Sequence, residues 1–120
     1  MVVYDPDNIF AKILRGEIPN DTVLETEHTL AFRDIAPQAL AHVLVIPKGA
    51  YLAYDDFSAQ ASAEELLDFH RAVAKVIEIL GAEQDGFRAI TNARAHGMQE
   101  VPHFHMHILA GQFMGPLLAS

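Results

Sequence analysis

The sequence predicts an α+β fold, an antiparallel sheet of about five strands with two helices on one side. Three features point there. Short apolar segments bounded by turn residues alternate with helical patterns, so the order reads helix, strands, long helix, strands. The stretch from Ser62 to Gly81 opens with a Ser62/Glu65 capping pair and puts Leu66, Phe69, Val73, Val76, Ile77 and Leu80 on one helical face. The segment His103-Phe104-His105-Met106-His107-Ile108-Leu109 alternates imidazole with apolar side chains, as a strand with one buried face does. All 120 residues fit a single domain, 51% hydrophobic and 20% charged, without linker, internal repeat or low-complexity segment.

In chain order, Asp7 to Gly16 reads as a short helix, capped at Asp7 or Asn8, ended by Arg15 and Gly16, and striped by Ile9, Phe10, Ile13 and Leu14. On helical spacing alone that stripe is a packing face. Pro19-Asn20-Asp21 turns the chain into two strands, Thr22 to Thr26 and Leu30 to Arg33, joined tightly around Glu27-His28, with His28 a solvated turn residue. In the following loop, Asp34 to Ala39, Asp34 is either a turn former or a ligand for a hydroxyl pair, and loop chemistry favours the turn. His42 to Ile46 is a near-continuous apolar strand stopped by Pro47, and His42, opening a buried strand, needs a partner. Tyr51 to Ala61 reads as a polar connection, and His70 as a boundary residue beside the long helix's stripe. Phe87 to Asn92 is a further strand, and Ala93 to Met98 a loop whose glycine and small residues suit a phosphate-facing turn. The histidine row then lies on the open face of the sheet or at its rim. A small one-sided sheet leaves an edge and apolar surface exposed, which implies a homodimer.

Three of the chain's seven histidines fall within five residues. Same-face side chains on a strand are about 6 to 7 Å apart, so the row lines a groove about as long as a phosphate with its two ester partners. His-x-His is also a ligand spacing for zinc, but there is no cysteine to help and carboxylates near the row are sparse. The other chemistry is nucleophilic: a neutral imidazole attacks phosphorus while its neighbours hold the tautomer, bond the phosphoryl oxygens and protonate the leaving group. That route needs no metal and no cofactor. Three crowded imidazoles are expected to titrate as a coupled set, one charged member at a time.

A formal net charge of -8 excludes a partner such as long nucleic acid, whose binding rests on a basic face, but allows a small nucleotide in a local pocket. Without cysteine there is no disulfide framework. The first residues lack a basic and apolar leader pattern, and no apolar run reaches membrane-spanning length, so a soluble cytoplasmic protein is expected.

The run from His103 to Leu109 resembles the histidine triad (HIT) motif, His-x-His-x-His with apolar x positions. The likeness extends over residues 8 to 114: Ile9 to Pro19 resembles the family's opening helix, and Leu30 to Ala39 with His42 to Lys48 resemble its nucleotide-binding strands and loop. The nearest branch is the Hint-like one, the purine nucleoside phosphoramidases. The resemblance implies a HIT-like domain and a homodimer whose two sheets join into one. It implies hydrolysis of purine nucleoside phosphoramidates, with an AMP- or GMP-like nucleotide bound. It assigns His105 as nucleophile, His107 to the phosphate and leaving group, and His103 and His42 to orienting the nucleophile. It also assigns Asp34 to the ribose hydroxyls, Ile9, Phe10, Ile13, Phe32 and Ile35 to an apolar slot for the base, and Asn92, Gln99 and the amides near Glu100 and Val101 to the phosphate. Related alternatives are hydrolysis of diadenosine polyphosphates and a non-catalytic nucleotide-binding module. Three positions depart from the pattern. Glu100 stands where serine or threonine is frequent, Ala110 replaces a frequent glycine, and the tail from Gln112 to Leu118 has no tryptophan. The leaving-group preference and any role of the tail are therefore not carried over.

Overall fold

The computed structural model describes residues 3–119 and holds, in chain order, α1 (Ile9–Leu14), β1 (Thr22–Glu25), β2 (Thr29–Arg33), β3 (Ala41–Pro47), α2 (Tyr54–Gln60), α3 (Ala63–Ile79), β4 (Phe87–Ile90) and β5 (Met106–Ala110). The strands form one antiparallel sheet in the order β1-β2-β3-β5-β4. Every expected strand is present, with ends shifted by one to three residues. The sheet sits between two cores, one on each face. Val43, Val45 and Ile108 turn to one side and pack with Phe57, Phe69, Val76 and Phe104 under α3. Leu44 and Ile46 turn to the other and pack with Leu30, Phe32 and the Phe10 and Ile13 of α1. This separation is the period-two alternation of β3 and β5 realised in space.

Local chemistry explains the ends of the helices. Asn8, rather than Asp7, caps α1, its Oδ1 accepting the Ala11 N–H at 2.9 Å, and Gly16 ends it with φ +79. Ser62 Oγ accepts the Glu65 N–H at 3.1 Å while the Glu65 carboxylate accepts the Ser62 N–H at 3.1 Å, the reciprocal cap expected for α3. Asp68 on α3 receives the hydroxyls of Thr26 and Thr29 and the His28 N–H, which pins the β1–β2 hairpin to the helix.

Three expectations are corrected. The helices do not share one side, since α1 covers the face opposite α3. There are three helices rather than two: the supposed polar connection contains α2, held by the Asp56 carboxylate accepting the Ala53 N–H at 3.1 Å and by burial of Phe57. With one buried residue in seven, α2 shows no helical stripe. His28 is half-buried, not solvated, because the hairpin folds back on Asp68.

Candidate active site

The β3–β5 register sets His107 opposite Leu44, so His42, two residues before Leu44, shares the face of His107. His105 enters from the segment just before β5, where Phe104 N–H bonds to Tyr51 O at 2.7 Å instead of continuing the ladder. The ring centroids of His105 and His107 are 5.1 Å apart, and both rings line an open cleft of about 200 Å³. His103 is fully buried, its ring on the far side of His105 and edge-on to Phe10. The three rings therefore share the α1 face, but only two of them meet solvent in the cleft.

Hydrogen-bond partners fix which nitrogen of each neutral ring bears the proton. His105 Nδ1–H donates to His103 O at 2.8 Å, which leaves the lone pair on Nε2. His103 Nε2–H donates to Pro47 O at 2.8 Å, so its Nδ1 accepts the Tyr4 hydroxyl at 2.6 Å. The Gln38 N–H donates to His42 Nδ1 at 3.1 Å, so His42 donates from Nε2 to His107 Nδ1 at 2.9 Å, and the proton of His107 is on Nε2. The cleft thus contains one basic nitrogen, on His105, and one proton-bearing nitrogen, on His107.

Burial keeps these rings neutral at pH 7. Desolvation lowers His103 to about 4, against the pull of the Pro47 carbonyl, and lowers His107 to about 4 with help from His105 and His42. His105 is lowered by burial too, opposed by its bond to His103 O and by the charges of Asp34 and Glu100. Burial lowers His42 against the opposing Asp34 charge. The rings are coupled as expected, but burial is the larger cause, so a resting charged member is not retained at neutral pH.

Asp34 forms the expected turn and lines the cleft. Its Oδ1 accepts the Ala36 N–H at 2.8 Å, and its other oxygen is 3.5 Å from His42 Nε2 at the cleft. Phe10, Asn92, Glu100 and Val101 also line the cleft. Ile13 and Phe32 lie in the core beneath, the Phe32 ring edge-on to Phe10 at 5.7 Å, while Ile9 and Ile35 stand on the surface, Ile35 at 97% exposure. Gln99 does not reach the cleft with its side chain: Nε2 donates to Leu52 O and Val101 O, and Oε1 accepts the Arg94 N–H. It braces the loop instead. Residue-type reasoning missed Tyr4, Gln38 and Met98. Tyr4 acts on a ring 99 residues away and Gln38 acts on His42 through its backbone N–H, and neither leaves a signal in residue type. Met98 at φ +55 and Arg94 at φ +59 shape the loop before β5, where a Cβ on Gly97 would lie 2.7 Å from Ala93 N.

Asp34, His42 and His107 bring three potential metal donors within 4.8 Å of one another. Their protonation does not fit an ion. A metal on His42 Nε2 requires the ring proton on Nδ1, which already accepts the Gln38 N–H. The 2.9 Å separation of the two ring nitrogens is a hydrogen bond, shorter than the roughly 3.3 Å between ligands around a tetrahedral zinc.

A five-stranded sheet carrying one proton-free and one proton-bearing imidazole over a small cleft defines an α+β protein whose cleft offers one basic and one proton-donating ring nitrogen. The HIT domain family matches residues 15–114, and the chain belongs to that family. It is 44% identical over 113 residues to the purine nucleoside phosphoramidase of Escherichia coli K12, covering 94% of both chains. It is 55% identical over 117 residues to an uncharacterized 13.2 kDa HIT-like protein of Azospirillum brasilense, covering 98% of this chain and 96% of the relative. A solved HIT family hydrolase from Clostridium thermocellum superposes with TM-score 0.85 at 38% identity, covering 94% of this chain and 97% of that one.

Proposed function

We propose that the protein is a hydrolase that cleaves the P–N bond of purine nucleoside phosphoramidates through a nucleotidyl-histidine on His105. The observation that carries this reading is the bond from His105 Nδ1–H to His103 O, which leaves Nε2 with a free lone pair at the cleft. The name of the Escherichia coli relative supports the substrate class.

In the first step His105 Nε2 attacks phosphorus, the P–N bond breaks, and the amine departs with the bonding pair and a proton. His107 Nε2–H supplies that proton, and His42, by donating to His107 Nδ1 at 2.9 Å, keeps the His107 proton on the nitrogen that faces the cleft. In the second step water attacks phosphorus and gives a proton to His107 Nε2, the P–Nε2 bond breaks with its pair returning to the His105 ring, and the nucleoside monophosphate leaves. Asp34 holds the ribose hydroxyls, Asn92 and the backbone near Glu100 and Val101 hold the phosphate, and Phe10 with Ile9 and Ile35 flank the base. Ile13 and Phe32 support that slot from beneath, and Gln99 acts through the loop it braces. Two copies join along β4, which among the described residues pairs only with β5 and exposes Phe87 at its free edge. The cytoplasm is the proposed location; among the described residues no helix is long and apolar enough to cross a membrane.

The test is to quench turnover of an adenosine phosphoramidate with denaturant at neutral pH and map the acid-labile nucleotide adduct. An adduct on His105 is expected. An adduct on another residue, or a large preference for a diadenosine polyphosphate over the phosphoramidate, would overturn the proposal.

A further inference from the structure

The charge balance of the cleft is unusual for a site that receives a phosphate. Asp34 and Glu100 line it, and none of its lining residues is a lysine or arginine. Arg94, the sole lysine or arginine between β4 and β5, is turned away: its two terminal nitrogens bond the Asp55 carboxylate of α2 at 3.0 and 3.1 Å. The imidazoles do not supply the missing cation, since burial holds them neutral. A polyphosphate chain would meet two carboxylates there with nothing to neutralise it.

The two carboxylates are not equivalent. Asp34 is only 19% exposed, takes the Ala36 N–H and lies beside His42, so its charge is committed to the protein. Glu100 is exposed at the cleft and makes no side-chain hydrogen bond or ion pair among the described residues. Its charge nonetheless reaches the nucleophile, where it favours the protonated ring of His105. A free carboxylate beside the reacting centre attracts whatever cation the substrate brings.

We propose that the cleft selects its substrate by charge, taking a phosphoryl group with a single negative charge whose leaving amine carries a second, protonated amine, and that Glu100 is the residue that meets this cation. The inference rests on the P–N cleavage proposed above. An exposed carboxylate facing an ammonium group is worth roughly a two- to fivefold preference at low salt, and screening removes it.

The test uses two adenosine 5′-phosphoramidates of equal length, one made from 1,4-diaminobutane, with its distal ammonium, and one from n-pentylamine, with a methyl group in that place. The expected ratio of kcat/KM, cationic over neutral, is about two to five at low ionic strength and close to one in 0.5 M salt. Glu100→Gln should bring the ratio to one at both salt concentrations whatever it does to the step common to both substrates, and Glu100→Asp should keep part of it. A ratio of one in the unaltered protein, or a ratio unchanged in Glu100→Gln, overturns the charge selection and leaves the P–N reaction standing. If neither compound is cleaved, the reaction itself is wrong and the inference goes with it.

Discussion

The two sides of β5 and the segment before it are built by different rules. On one side Phe104 stacks on Phe57 at 5.0 Å between centroids and touches Phe69 at 5.1 Å, with Ile108 in the same cluster. Those contacts are non-directional, and their worth is shared among many atoms. On the other side each imidazole has one donor and one acceptor, and each nitrogen but two is paired within the protein. Stability on the apolar side is graded by volume. On the histidine side single protons decide the chemistry, and the same residue can matter greatly for turnover and little for folding.

Substitutions on the two sides should separate these properties. His105→Asn is expected to reduce turnover by at least about a thousandfold, since no other group in the cleft has a free basic nitrogen among the described residues. Its unfolding midpoint should move little, and calorimetry should still register nucleotide binding. Near-normal turnover in that variant would erase the contrast. Phe104→Ala, one residue away, should cost roughly 3 to 5 kcal/mol in chemical denaturation, with turnover per folded molecule far less affected than in His105→Asn.

The pH dependence tests the histidine side as a whole. His103 and His107 are lowered to about 4 when folded, below the unfolded value of about 6.5, so below that value the unfolded chain binds more protons. Their contribution to stability is full above about pH 6.5, falls as the pH drops toward 4, and levels off beneath. The loss is on the order of 2 kcal/mol for each ring by pH 5. Urea midpoints from pH 7.5 to 4.5 check it, and a flat profile would mean that the rings are not desolvated. A smaller effect is expected for Tyr4→Phe, which removes the hydroxyl from His103 Nδ1 and should cost about 1 kcal/mol in the same assay. Smallest of all, a chelator should leave turnover unchanged, because the His42 tautomer is turned against a metal ion.

The sheet was legible because its signals are local. The period-two runs of β3 and β5, the Ser62/Glu65 cap and the stripe of α3 each fall within a few residues, and the alternation at His103 to His107 marked the site's core. Asp34, Asn92, Glu100, His105 and His107 line one cleft, and His42 lies behind it, bonded to His107. What escaped was information held in backbone or distant groups. The Gln38 N–H that sets the tautomer of His42 is the same in any residue but proline, so composition says nothing of it. Gln99 was given to the phosphate by pattern, yet its amide is consumed by Leu52, Val101 and Arg94. A helix of seven residues with one buried side chain has no period to read, which hid α2 and the Arg94–Asp55 clamp it anchors. That α1 covers the opposite face from α3 depends on the twist and order of strands, which hydrophobic periodicity does not encode.

The bond between Tyr4 and His103 joins residues 99 positions apart. During synthesis from the amino end, the phenol is made long before the imidazole it will steady, and the carbonyl of Pro47 likewise waits for that ring. The reactive centre therefore cannot be assembled piecemeal on the ribosome. A nascent chain carrying the early strands lacks the cleft, which is complete only when β5 lies between β3 and β4.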